Sequence, residues 1–220
     1  MCGIAGMLKF GGQGWVEPGV IRRMCNIMAH RGPDDDGIYT AGPIGLGMRR
    51  LSIVDLSTGH QPLSNEDGTL WIVFNGEIYN HRELREQLES HGHLYRTHSD
   101  TETIVHLYEQ YGRDCVQHLR GMFAFAIWDT RAQSLFLARD RLGIKPLYYQ
   151  LTHQGLVFGS EIKVILANPG IEARFHRDVL PEFLAFGYLS GEETFYAGIR
   201  KLMPGHWMEV DSRGQVQIER

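Results

Sequence analysis

Cysteine is scarce in this chain of 220 residues. Its three cysteines, Cys2, Cys25 and Cys115, cannot all pair, and no two have the Cys-x-x-Cys spacing of a metal or redox motif. Such usage fits free thiols in a reducing compartment. Long apolar runs are also missing: no segment approaches the roughly 20 residues that span a bilayer. The opening MCGIAGMLKFGGQG lacks the basic start and the apolar length of a signal peptide. Its glycine falls at position 3, not at the position 2 that N-myristoylation requires. There is no excess of basic charge. With 22 Lys and Arg against 26 Asp and Glu, the net charge of -4 argues against a nucleic-acid or anionic-membrane surface. The expectation is a cytoplasmic protein with no nucleic-acid and no membrane partner.

What is present is an ordinary globular balance, 43% hydrophobic and 22% charged, with enough chain for one well-buried core or two small ones. CGIAGMLKF reads as a buried strand. A helix is predicted from Pro18, with Val20, Ile21, Met24, Ile27 and Met28 at helical spacing, and a loop over His30 to Gly37. Gly45 to Leu51 and Leu70 to Phe74 read as strands, and Asn75-Gly76 as a hairpin turn signal. Two helices follow, each opened by a capping-box pattern: Asn80 with Glu83, and Ser99 with Glu102. Gly112 is a plausible stop for the second, and a short helix is predicted around Asp114 to Leu119. Four strands are predicted between Met122 and Phe158, then a helical pattern from Asp178 to Gly187. Grouped helices between two sets of strands point to an α+β fold with largely antiparallel sheets, two sheets packed together with helices outside.

Cys2 stands out by position. Removal of the initiator Met1 would leave it N-terminal, with its own α-amine as a base. Reference pKa values of about 7.7–8.0 for that amine and about 8.5 for a thiol allow proton exchange near neutral pH. Position alone favours a packing residue; the accompanying groups do not. An oxyanion from attack on an amide needs aligned donors, and Asn75-Gly76 offers a side-chain amide and a backbone N–H. A free amino acid needs a cation for its carboxylate and an anion for its ammonium. Arg50 supplies a bidentate fork, and Asp100, in a first helical turn that favours its charged form, supplies a carboxylate. Cys25 and Cys115 read as packing residues.

The ordered motifs MCGIAG (1–6), HRGPD (30–34), RLSIVD (50–55), GHQP (59–62), FNGEIYN (74–80), SDTE (99–102), GMFAF (121–125), ARDRLG (138–143) and GSEIK (159–163) resemble the class II glutamine amidotransferases, which are N-terminal-nucleophile hydrolases. RLSI and NGEIYN are most similar to the bacterial glutamine-dependent asparagine synthetases. That resemblance implies a four-layer αββα sandwich. It implies that Cys2 attacks the glutamine side chain to form a thioester and that Asn75 and Gly76 form the oxyanion hole. It also implies that Arg50 grips the substrate carboxylate, that Asp100 holds the ammonium with Glu77 beside it, and that Leu51, Ser52, Ile53 and Val54 line the pocket.

His91, His93 and His98 fit no helical zinc pair and read as surface residues, so no metal is expected. Asp34, Asp35 and Asp36 lack the rest of a calcium loop. Arg139, Asp140, Arg141 and Lys145 read as a salt-bridged turn rather than a phosphate patch. The Ser-Gly-Gly-x-Asp-Ser pyrophosphate loop of asparagine synthetases is absent from this sequence, as is any Walker-type loop. The expected organisation is therefore a glutaminase domain over 1–190 and a connector over 191–220 leading to a synthetase domain of the same polypeptide. No cofactor is expected on this chain; ATP and Mg belong to the synthetase domain. Glutamine is the expected small-molecule partner, and a homodimer is one assembly the resemblance allows. The alternatives are a non-catalytic glutamine-binding or docking module, a glutaminase serving another carboxylate acceptor, and a thiol hydrolase of other amides.

Overall fold

The computed structural model describes residues 1–12, 14–51 and 59–220. Its first half contains β1 (Gly3–Lys9), α1 (Pro18–Asn26), β2 (Asp35–Ala41), β3 (Ile44–Arg50), β4 (Leu63–Ser64), β5 (Leu70–Ile78), α2 (His81–Ser90) and α3 (Asp100–Tyr111). Its second half contains α4 (Cys115–His118), β6 (Gly121–Asp129), β7 (Ser134–Arg139), β8 (Tyr148–Thr152), β9 (Gly155–Gly159), α5 (Ile162–Leu166), α6 (Leu180–Phe186), β10 (Ile199–Lys201), β11 (Trp207–Asp211) and β12 (Val216–Glu219). One sheet runs β10-β8-β9-β1-β3-β2 and the other β12-β11-β7-β6-β5-β4. All of the strand pairings that build them are antiparallel.

Period-two alternation explains why the sheets stack. Ile4 and Leu8 of β1, with Ile44, Leu46 and Met48 of β3, meet Val73 of β5 and Ala124, Ala126 and Trp128 of β6 in the layer between the sheets. The intervening residues face outward. Ala5 packs with Ile21, Met24, Met28 and Val164 under α1 and α5. Ile72, Phe74, Phe125 and Ile127 pack with Leu84, Leu88, Ile104 and Leu107 under α2 and α3. The order is helices, sheet, sheet, helices, the α+β αββα sandwich anticipated above.

Several local expectations give way to tertiary pairing. Asn75-Gly76 makes no turn; it lies inside β5, opposite Ala124 and Phe123 of β6. Glycine is needed there because an added Cβ would strike the Met122 carbonyl oxygen, so the residue serves close strand approach rather than a reversal. Asp35–Gly37, expected in a loop, begins β2 by pairing with β3. Neither capping box closes. The Asn80 side chain bridges the His118 carbonyl and the Arg120 amide. Ser99 does cap α3 through Thr101 N–H, but Glu102 accepts the Arg96 and Thr97 amides instead of reaching back to Ser99. Residues 191–220, expected as extra strand and a connector, supply β10 to the first sheet and β11 and β12 to the second. Trp207, Met208 and Val210 carry apolar side chains into both layers beside the second sheet.

Candidate active site

The same alternation assembles the site. Cys2 has the parity of Ile4 and Leu8, Arg50 that of Leu46 and Met48, and Asn75 that of Val73. All three therefore belong to the inter-sheet layer, at one end of it. The β1–β3 register, with Gly3 opposite Arg49, brings Cys2 next to Arg50. Asp100 arrives from the helical side. Its Oδ2 accepts the Ile78 amide at 2.9 Å, which ties the N-terminus of α3 to the end of β5. Together these elements enclose a cleft with about 620 Å³ of free space, its mouth included. Cys2, Arg50, Leu51, Asn75, Gly76, Glu77 and Asp100 all line it. The expected pocket residues Ser52, Ile53 and Val54 lie outside the described residues.

The Cys2 Sγ sits 3.4 Å from the Leu51 amide, which donates to it, and 3.6 Å from the Leu51 carbonyl. The backbone around Cys2 is held from two sides. Arg31 Nε donates to the Cys2 carbonyl at 2.9 Å, and Ser160 exchanges hydrogen bonds with Ile4, Oγ accepting and N–H donating, both at 2.9 Å. Arg31 is itself paired with Glu161 at 3.1 Å, and His30 and Lys163 share that carboxylate. This gives the HRGPD and GSEIK motifs a role that the sequence left blank. The other thiols are inert: burial pushes Cys25 up to about 12 and Cys115 higher still.

Asn75 is 1% exposed, yet its Nδ2 has no hydrogen-bond partner among the described residues. A buried amide donor left unmade costs roughly 1–3 kcal/mol, which a structure retains where a ligand supplies the acceptor. Arg50 and Asp100 are each 6% exposed. Burial pushes the Asp100 carboxyl above the usual range, and the Ile78 amide only partly opposes it. This corrects the expectation that the helix start alone would favour its charge. Glu77 is exposed at the rim, and its charge adds to the upward push on Asp100.

Sequence reasoning missed Gln61 and Lys145. Gln61 is buried, donates to Thr101 Oγ1 at 3.1 Å and accepts the Phe74 amide at 2.7 Å, locking α3 to β5 beside Asn75. The GHQP motif was its signal. Lys145 is 5% exposed and lines the cleft, its Nζ 3.4 Å from the Sδ of Met1, which also lines it. The adjoining turn is structural. Asp140 accepts the Phe123, Leu142, Ile144 and Lys145 amides, and Arg139 donates to the carbonyls of Gly143, Lys145 and Leu202. It is held by backbone groups rather than by the expected salt bridges.

Residues 1–219 match the family model described as a glutamine amidotransferase domain. Over 97% of its length the chain is 40% identical to asparagine synthetase [glutamine-hydrolyzing] 3 of Bacillus subtilis, and over 92% it is 39% identical to a putative asparagine synthetase [glutamine-hydrolyzing] of Methanocaldococcus jannaschii. It spans only 35% and 42% of those proteins. Over 83% of its length it is 41% identical to the amidase chyE of Penicillium rubens, covering 27% of that protein. Among solved structures, the glutamine phosphoribosylpyrophosphate amidotransferase of B. subtilis superposes with a TM-score of 0.69 at 22% identity, over all of this chain and 49% of that one. The fold, the cleft and these relatives agree: the chain belongs to the glutamine amidotransferase domain family.

Proposed function

We propose that the cleft hydrolyses glutamine to glutamate and ammonia, with Cys2 as the nucleophile. The observation that carries this reading is the buried Asn75 Nδ2, which has no hydrogen-bond partner among the described residues and lies in the same cleft as the Cys2 thiol. Loss of Met1 frees the Cys2 amine and vacates part of the cleft wall. The thiol proton passes to that amine, and sulfur attacks the side-chain amide carbon. Asn75 Nδ2 and the Gly76 N–H stabilise the oxyanion. As the tetrahedral species collapses, the ammonium returns its proton to the leaving nitrogen, ammonia departs and a thioester remains. Water, deprotonated by the same amine, then attacks the thioester and regenerates the thiol. Arg50 and Asp100, both buried in the cleft, complement the two charges of a free amino acid.

In this reading, ammonia serves an ATP- and Mg-dependent synthetase domain that amidates aspartate to asparagine. Support comes from relatives named as asparagine synthetases, of which the chain covers about a third. The relative named as an amidase favours a second reading at that step, another carboxylate acceptor.

Intact mass, followed by a glutaminase assay on the chain and on Cys2→Ala, tests the proposal. Expected are loss of Met1, release of glutamate and ammonia, and no release from the variant. Labelling with a glutamine-mimicking electrophile should map to Cys2. A folded, Met1-free protein that binds glutamine without turnover would make it a binding module. Turnover of other amides but not glutamine would make it a different thiol hydrolase.

A further inference from the structure

Four side chains far apart in sequence converge on the outer side of α3. Glu66 comes from the β4–β5 turn, His93 from the α2–α3 connection, and His106 and Glu109 from successive turns of α3 itself. One ligand atom from each lies within 4.8 Å of all the others. His106 Nδ1 is 3.3 Å from Glu66 and 3.5 Å from Glu109, and His93 Nδ1 is 3.5 Å from the same Glu109 oxygen, Oε2. Donors around a tetrahedral ion with bonds of about 2.0–2.1 Å stand roughly 3.3–3.4 Å apart.

Hydrogen bonding does not account for this arrangement. His106 is 0% exposed, yet neither of its ring nitrogens has a hydrogen-bond partner among the described residues, and Glu66 Oε2 is likewise buried and unmatched. A buried imidazole aimed at carboxylate oxygens without a bond to them lacks something at the centre. The outer contacts fit a ligand set too. His93 Nε2 meets Gln110 Oε1 at 3.2 Å, which fixes that nitrogen as the N–H and turns the Nδ1 lone pair inward. The far nitrogen of His106, Nε2, faces Glu102 Oε1 at 3.8 Å.

We propose that Glu66, His93, His106 and Glu109 bind one divalent first-row transition metal, zinc by the donor set. Two neutral imidazoles and two carboxylates balance its charge. Four protein ligands leave no open position, so the site is structural. It fastens the β4–β5 turn and the α2–α3 connection to α3, roughly 9 Å along the helix axis from Asp100.

The test uses the whole chain, stripped with a chelator and titrated with zinc or cobalt chloride. One equivalent should survive gel filtration, raise the melting temperature and, with cobalt, develop the intense absorption of a tetrahedral centre. The partly exposed ligands are mutated because fully buried His106 carries a folding risk. H93Q and E109Q should lower affinity at least roughly 10–100-fold, the range for disturbing even an outer partner of a ligand. Metal-free, both should melt with the stripped parent. Exposed His153 is the control: H153Q should bind like the parent. Absence of stoichiometric metal, binding retained by the H93Q/E109Q double variant, or equal destabilisation of the metal-free and metal-loaded forms by H93Q would overturn the proposal. The last outcome would mean an ion-paired cluster.

Discussion

The cleft and the Arg139–Lys145 turn both bury charged residues, and both carry conspicuous sequence motifs, yet their polar groups are treated in opposite ways. In the turn, four backbone amides satisfy Asp140 and three carbonyls satisfy Arg139. In the cleft, Asn75 Nδ2 has no partner among the described residues, and Asp100 is buried at a cost that pushes its carboxyl upward. Buried polar groups are paired unless something else supplies the partner. The turn closes a local structure; in the proposed reading the cleft keeps its donor and its carboxylate for a ligand with an acceptor and a cation. The cluster around His106 follows the logic of the cleft.

The comparison breaks first at Cys2. Replacing it with alanine should lower glutamine turnover by roughly 10³-fold or more while leaving the fold intact, because the half-buried side chain sits at the edge of the inter-sheet core and its thiol bonds to the Leu51 backbone. Residual turnover near the parent level in a steady-state assay would dismiss it as nucleophile. Next come the two kinds of buried polar residue, taken as a pair. Asn75→Ala should lower kcat by roughly 10²–10³-fold with little change in melting temperature. Asp140→Ala should cost roughly 3–5 kcal/mol of stability, since it strands four amides, while the folded fraction keeps its turnover. Chemical denaturation and kinetics on both variants separate the roles, and exchanged outcomes would invert them.

Asp100 sharpens the contrast through pH. Its folded carboxyl lies above the unfolded value, so the protonated form favours folding. That contribution is fully present below the unfolded value and is lost as pH rises through the raised folded value. In the proposed reading glutamine's ammonium needs the carboxylate, so binding should strengthen across the same rise in pH. D100N should flatten both trends and lower kcat/KM by roughly 30- to 1,000-fold, the cost of about 2–4 kcal/mol for losing a buried charge contact. Melting curves and KM measured across the acid range check this. The smallest effect is expected at Ser99, where alanine removes the cap on Thr101 N–H and the hydroxyl's bond to Thr101 Oγ1. About 1 kcal/mol of stability should be lost, measurable by urea titration.

Much of this was readable in advance because it is periodic or composed of contiguous motifs. Alternation in β1, β3, β5 and β6 predicts strands with one face between the sheets, and Cys2, Arg50, Asn75 and Asp100 each belong to a recognisable run. What failed depended on partners distant in the chain. Asn75-Gly76 carries the local signature of a hairpin turn, but pairing along β6 extends the strand through it, and the Met122 carbonyl decides why glycine stands there. His93 was read as a surface residue from its neighbours His91 and His98. Its actual neighbour is His106, 5.0 Å away between ring centroids and hidden in an apolar helix pattern.

By itself, then, the sequence determined the layered α+β architecture, the position of the proposed nucleophile and the residue types of the proposed amino-acid pocket. These follow from side-chain period and from short-range chemistry. Only the tertiary structure decided which polar groups are satisfied: that Asp140 is closed off by backbone, that Asn75 Nδ2 has no partner among the described residues, and that His106 meets Glu66 across some 40 residues of chain. Satisfaction is a property of three-dimensional neighbours and of exclusion from water, and neither is written in the order of residues along the chain.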